Sequence, residues 1–314
     1  MADTTASSVS NSAIAIMQKA FHIAAMDNIV MDQFASYKFA EQAKTIDFVK
    51  FTKMAKVVSN STGALTDGTE ATAAAVTDNK VTFTPKEFGN VATITSLATL
   101  QTGGKVDLAV PKLVGMNMAE SMNALAMDSL KASTDSDITD IFCDNTSPEA
   151  NTSAANILAA DVLDYDNLQA AHNQLMSANI APFEGGYYTL LVHPHVAGDL
   201  VKTSEWAEHN KYTSQERLFK NEVGVLGGFR VISSTGVPFV ANGANGNVDL
   251  YHSFALGQNA YGKAVSLEPE IRVTGPFDNL GREYNVGWYG VFQYDVVDGN
   301  ALCRLQSSSS YGAN

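Results

Sequence analysis

The residues whose types and spacing converge on chemistry are His193-Pro194-His195, which follow an apolar run and precede Asp199 by one helical turn. A His-x-His at a strand end can supply two metal ligands, and a carboxylate one turn on can supply a third. A zinc-like ion held there would activate water for hydrolysis. The set stays incomplete, because no further His, Cys or acid is spaced to finish it. Proline between the two histidines is also what a plain strand-to-helix turn uses, and that reading is preferred. Asp135, Asp137, Asp140 and Asp144 resemble a calcium loop only loosely, since the glycine and the terminal bidentate glutamate are missing at the needed spacing. A solvated acidic loop is the simpler account. Gly224, Gly227 and Gly228 lack the Lys-Ser/Thr of a phosphate loop and run into a strand rather than a helix, so they read as turn glycines. No serine has a nucleophile-elbow context. Cys143 and Cys303 fit no metal or redox spacing and read as unpaired thiols of a reducing compartment. No catalytic, cofactor-binding or metal-ligating residue is assigned, and no cofactor is expected.

The elements that would position such residues belong to a chain of 314 residues, long enough to bury about three quarters of its unfolded surface and to form two or more lobes. Its net charge of −13 is uneven. Residues 1–60 carry six lysines against five acids, whereas Ala132 to Val201 contain ten acids and no Lys or Arg. Such a surface repels phosphates and argues against a protein that reads nucleic-acid sequence. No run reaches the roughly 18 apolar residues of a membrane span, and no secretory signal is visible at Met1 to Ser8.

Val110 to Ser133 is the organising stretch. Val114, Met118, Met122, Leu125 and Leu130 recur at helical spacing with Ala119 and Ala126 between them, and Pro111 suits the first helical position. Before it, Ile14, Met17, Phe21 and Ala25 mark a helix from Ser12. Ile29, Val30, Met31 and Phe34 form an apolar cluster, and Lys44 to Val58 reads as extended with Ile46, Phe48 and Phe51 as anchors. Such a segment has little to bury on itself and reads as an arm laid over its own molecule or a neighbour. Two Thr/Val/Ala-rich runs, Thr72–Thr84 and Lys86–Leu97, read as a thin two-stranded ribbon that needs a partner surface. Gln101 to Gly104 form a hinge into the central helix.

After the helix, Asp135 to Ala154 reads as an acidic connector. Asp161–Ile180 reads as a helix burying Leu163, Leu168, Ala171 and Leu175, and Tyr187–Val192 as a strand. A helix from Pro194 through Trp206, another over Ser214–Val223, and strands at Phe229–Ser233 and Val248–Phe254 complete a small α/β lobe. In Tyr284 to Val296 the residues Tyr284, Val286, Trp288, Phe292, Tyr294 and Val296 all fall on even positions, the period of a strand with one buried face. Glu268–Thr274 and Ala301–Leu305 are expected to pair alongside it, with the central helix covering the sheet.

Four pieces of this order resemble the major capsid proteins of tailed bacteriophages, the Hong Kong-type capsid fold, and within them the family typified by the coliphage N-four capsid protein. They are Leu65-Thr66-Asp67-Gly68; Phe88-Gly89-Asn90-Val91-Ala92-Thr93-Ile94-Thr95-Ser96, where Ser96 departs from the usual acid; Val192-His193-Pro194; and the run from Asn221 to Ile232. The resemblance implies an α+β capsid subunit. It has an N-terminal arm (1–60), an extended β-hairpin E-loop (61–109), a peripheral domain with a long spine helix on a sheet (110–158 and 265–314) and an α/β axial domain (159–264). It further implies pentamers and hexamers in an icosahedral head shell enclosing double-stranded DNA that it touches non-specifically. Portal and scaffold or decoration proteins are the implied partners, with assembly in the host cytoplasm and no membrane contact. Competing readings are an encapsulin-like compartment shell, a metal-dependent hydrolase using His193, His195 and Asp199, and a surface-layer protein or adhesin.

Overall fold

The period of two in the C-terminal part is realised as a fourteen-residue strand, Glu283–Val296, whose Val286, Trp288, Phe292, Tyr294 and Val296 are buried. The computed structural model that shows this describes residues 16–311, apart from 17, 22, 24–28, 42–43, 52–66, 69–77, 146–150, 207–220, 246–247 and 277–278. In chain order the elements are β1 (Ser36–Phe39), β2 (Ile46–Phe51), β3 (Asp78–Phe83), β4 (Lys86–Thr95), α1 (Ser96–Gln101), α2 (Lys105–Ala132), β5 (Thr139–Phe142), α3 (Tyr165–Ser177), β6 (Tyr188–Val192) and α4 (Pro194–Lys202). There follow β7 (Glu222–Leu226), β8 (Phe229–Ser233), β9 (Phe239–Val240), β10 (Leu250–Leu256), β11 (Tyr261–Thr274), β12 (Glu283–Val296) and β13 (Leu302–Ser307).

Two larger sheets and the separate antiparallel pair β2–β3 share these strands. The first has the order β1-β11-β12-β4, antiparallel except for β1, which runs parallel to β11. Helix α2 lies along it against β12 and β4. The helix buries Val114, Met118, Met122, Ala126, Met127 and Leu130, with Leu125 only half-buried. Two glycines permit the β4–β12 contact. A Cβ on Gly89 would meet the Trp288 carbonyl oxygen at 2.6 Å, and one on Gly287 the Asn90 carbonyl oxygen at 2.6 Å. The second sheet has the order β5-β13-β10-β6-β8-β7, with β9 on β10. α3 packs on β13 and β5 and α4 on β8. Leu163, Leu168, Ala171 and Leu175 are buried as their spacing requires. One apolar cluster runs through both sheets, and a satellite of Ile46, Phe48, Phe83 and Ala264 sits under the β2–β3 pair.

Five expectations are corrected. Helix α2 starts at Lys105, so Pro111 falls in its second turn. The true start is fixed by Gly103 and Gly104, both at positive φ, and by the Asp107 carboxylate in the first turn, which accepts from Thr99 Oγ1 at 3.0 Å and from the Tyr284 hydroxyl. The ribbon does not form as drawn. Strand β3 pairs with β2, and β4 pairs with β12 over its whole length, where Ile94 joins the main apolar cluster and Gly89 lets the backbones approach. Ala301–Leu305 contributes to β13, which joins β10 and β5 in the second sheet rather than lying beside β12. The acidic connector contains β5, an edge strand whose Ile141 is buried. Glu222 and Val223 are strand, not helix, while 214–220 lie outside the described residues. Of the expected N-terminal helix, Ile16, Gln18 to Phe21 and Ile23 are helical and Phe21 is fully buried. The Leu65-Thr66-Asp67-Gly68 motif and the distal part of Lys44–Val58 fall largely outside the described residues.

Candidate functional site

His193 caps α4. Its Nδ1 accepts the His195 backbone N–H at 3.3 Å, and Pro194 takes the first helical position. His195 Nδ1 lies 3.0 Å from the Tyr251 hydroxyl in a hydrogen bond. The two imidazoles meet edge to face, 4.8 Å apart, within an aromatic cluster that includes Phe239, Tyr251 and Tyr311. Burial, and then the neighbouring His195, lower the pKa of His193, favouring the neutral ring. Asp199 faces elsewhere. It accepts from Ser309 Oγ and the Ser310 N–H, each at 2.8 Å, from Ser310 Oγ, and from Lys202 Nζ at 3.2 Å. Burial pushes this carboxyl up, but the hydrogen bonds outweigh it and hold the pKa below the ordinary value. Among the described residues, no group of three or more His, Cys, Asp or Glu side chains is placed to hold a metal ion. The hydrolase residues are thus a helix cap, an aromatic contact and an anchor for the chain beyond β13.

The acids of 135–144 disperse in the same way. Asp140 takes a bidentate pair from Arg304 at 2.6 and 2.8 Å, and the same guanidinium donates to the carbonyls of Lys131 and Ser133 at 2.9 Å. One arginine on β13 therefore closes the C-terminus of α2, where carbonyls lack helical partners. Asp137 accepts from Asn300, and Asp135 caps its own loop. Gly227 and Gly228 form the β7–β8 turn at φ +56° and +86°, and His172 fills the space a Gly228 side chain would need. Cys143 and Cys303 are both buried and not joined by a disulfide, and burial pushes the Cys143 thiol well up.

The more informative polar residues carry no sequence motif. Asn123, buried on α2, accepts the N–H groups of Val30 and Met31 at 3.0 and 3.1 Å with its Oδ1. Asp32 accepts from Lys263 Nζ and from the Tyr294 hydroxyl, each at 2.5 Å, and the Tyr261 hydroxyl donates to the Met31 carbonyl. These bonds dock the arm segment 30–34 on the chain's own helix and sheet, and β1 continues it as a strand. Such contacts join residues about a hundred or more apart and are invisible to local pattern. A cleft of about 550 Å³ between this segment, α2 and the turn at Ser233–Gly236 is lined by a single carboxylate, Glu120, with no histidine or cysteine. What the surface does offer is exposed apolar side chains, among them Tyr37, Phe39, Val49 and Val91, and the outer edge of β4. Among the described residues, no helix is long and apolar enough to cross a membrane.

A long helix on a four-stranded sheet, joined to an α/β lobe and preceded by an arm and a hairpin, defines a structural class. The chain has the tailed-phage major capsid fold. The capsid subunit of Ralstonia phage GP4 matches with a TM-score of 0.70 at 11% identity, covering 90% of this chain and 92% of that one. The acid-stable capsid of Helicobacter pylori bacteriophage KHP30 matches with a TM-score of 0.65 at 13% identity over 87% of both chains. A virus-like particle from Pyrococcus furiosus matches with a TM-score of 0.56 at 11% identity, covering 92% of this chain and 97% of that one. No protein-family model matches the chain, and no curated protein matches it in sequence.

Proposed function

We propose that the chain is the major subunit of a tailed-phage head. Copies of it assemble as pentamers and hexamers into a closed icosahedral shell around packaged double-stranded DNA. The observation that carries the reading is the capsid fold over about nine tenths of the chain, from the arm through to β13. Two others support it: the residues that chemistry would need are spent on caps and anchors, and the arm and hairpin add extended surface at the margin of the first sheet. The role is structural, not catalytic. The narrower likeness to the coliphage N-four family, resting on four short motifs, belongs to the same proposal. So does the division into arm (1–60), E-loop (61–109), peripheral domain (110–158 and 265–314) and axial domain (159–264). We amend it by assigning β4 to the peripheral sheet and β5 and β13 to the axial one. Portal and scaffold or decoration proteins are the expected partners, DNA contact is non-specific, and assembly takes place in the host cytoplasm.

Negative-stain microscopy and light scattering of the purified protein test this. Closed shells of several hundred ångströms are expected. A monodisperse 33.5 kDa species at micromolar concentration and above would overturn it. The second reading, a compartment shell holding cargo, draws on the fold shared with the Pyrococcus particle. Shells that co-purify with a stoichiometric second protein and no DNA would favour it.

A further inference from the structure

Helix α1 contains Leu97 and Leu100, yet none of its six residues is buried. The helix is nevertheless firmly placed. Thr95 caps it by accepting the Ala98 N–H at 3.3 Å, the Ser96 N–H donates to the Arg282 carbonyl at 2.7 Å, and the Gly104 N–H closes onto the Thr99 carbonyl at 2.9 Å. The Ser96–Arg282 bond sets α1 beside the turn that carries Leu280. Leu100 and Leu280, at 78% and 76% exposure, are the two most exposed large apolar side chains among the described residues, and Leu97 stands at 62%. All three lie at one tip of the first sheet, where β4 ends opposite the start of β12. A held helix that presents its leucines to water marks a surface awaiting a partner.

Charge selects that partner. Phe88 to Gly104 contains no charged residue, although the whole chain carries −13. Copies of so acidic a chain repel one another wherever their acids face, and approach best where charge is missing. Lys105, Arg282 and Glu283, all exposed, surround the patch with both signs, the polar rim of a specific contact. We infer that the Leu97, Leu100 and Leu280 tip is a self-association surface that meets the same tip of a second copy of this chain. The inference rests on the shell reading and locates one of its contacts.

The test compares wild-type protein with the Leu97→Lys/Leu100→Lys/Leu280→Lys variant, with Leu280→Lys alone, which leaves α1 intact, and with Met176→Lys on α3 as an exposed control. Circular dichroism and thermal unfolding confirm the fold. Sedimentation and microscopy read assembly against concentration. The tip variants should stay folded and need at least about tenfold higher concentration to assemble, because like charges would face one another across the contact. Met176→Lys should behave as wild type. A wild-type chain that remains monomeric overturns the shell reading itself. Wild-type shells matched by equally good shells from the triple variant overturn only this inference and give the tip to a different partner.

Discussion

Replacing His252 by Phe should remove a defined part of the acid sensitivity of this fold. His252 sits on β10 opposite Gln306 of β13 and is 7% exposed, with no hydrogen-bond partner for Nε2. Burial, then Lys131 at the end of α2 and Arg304 on β13, bring its pKa from 6.5 to about 4, with Asp140 on β5 opposing them. The folded state therefore holds the ring neutral while the unfolded chain protonates it near 6.5. As pH falls, the unfolded state gains its proton first, so stability is lost between pH 6.5 and about 4 and not further below. The gap corresponds to about 3 kcal/mol. Urea unfolding of wild type and His252→Phe, at pH values from 7 to 4 and at concentrations too low for assembly, isolates this contribution, since carboxylate titrations are common to both. Any packing cost of the phenyl ring is a constant offset. The difference between the two proteins should move by about 3 kcal/mol in favour of the variant as pH drops. A difference flat to within about 0.5 kcal/mol would show that the ring titrates normally in the fold and refute the argument.

Asp32→Ala should leave Lys263 Nζ and the Tyr294 hydroxyl unpaired beneath the arm. With Lys263 buried and Asp32 partly exposed, the cost falls between surface and buried pairs, about 2–4 kcal/mol, and amide exchange at residues 30–39 should rise well before global unfolding. Gly228→Ala forces a side chain into the His172 ring at a positive φ and should lower stability by about 1–3 kcal/mol, read as a drop in the thermal midpoint.

The buried face of β12 was legible because a strand with one apolar side leaves a period of two, and α3 because Leu168, Ala171 and Leu175 leave a period near 3.6. Strand β8 was legible to its ends, since the glycines before it demand a turn. Pairing was not legible. The Thr- and Ala-rich runs on either side of Pro85 suit a local hairpin or separate partners equally well. What separates them is a close approach between Gly89 and the Trp288 backbone, across about two hundred residues. The start of α2 was misplaced for a related reason: a proline suited to the first turn was outweighed by a bond from Tyr284 to Asp107. His193, His195 and Asp199 looked like a ligand set because spacing records proximity along the chain and not direction. Asp199 turns to serines that arrive from the other end of the sequence.

On the proposed shell reading, the corrected pairing changes which segment can serve as an assembly element. A cut from Thr72 to Leu97 would remove β3 and β4 together, and β4 is the outer strand of the sheet that α2 covers, so the loss would reach Ile94 and the core. The β2–β3 pair is different. It buries only the satellite of Ile46, Phe48 and Phe83 on Ala264, and its last pair, Phe51 with Asp78, leads to residues 52–77, which link the two strands. Lys50, beside that last pair, bonds Asp298 just after β12, and Lys38 of β1 donates to the Asp47 carbonyl near the other end, so both ends of the pair are tied to the margin of the first sheet by polar contacts outside the main core. On the shell reading proposed above, such a pair can offer surface at the margin of the first sheet without carrying the main core. On that reading, contacts with neighbours made there can form or be lost while the main core stays as it is.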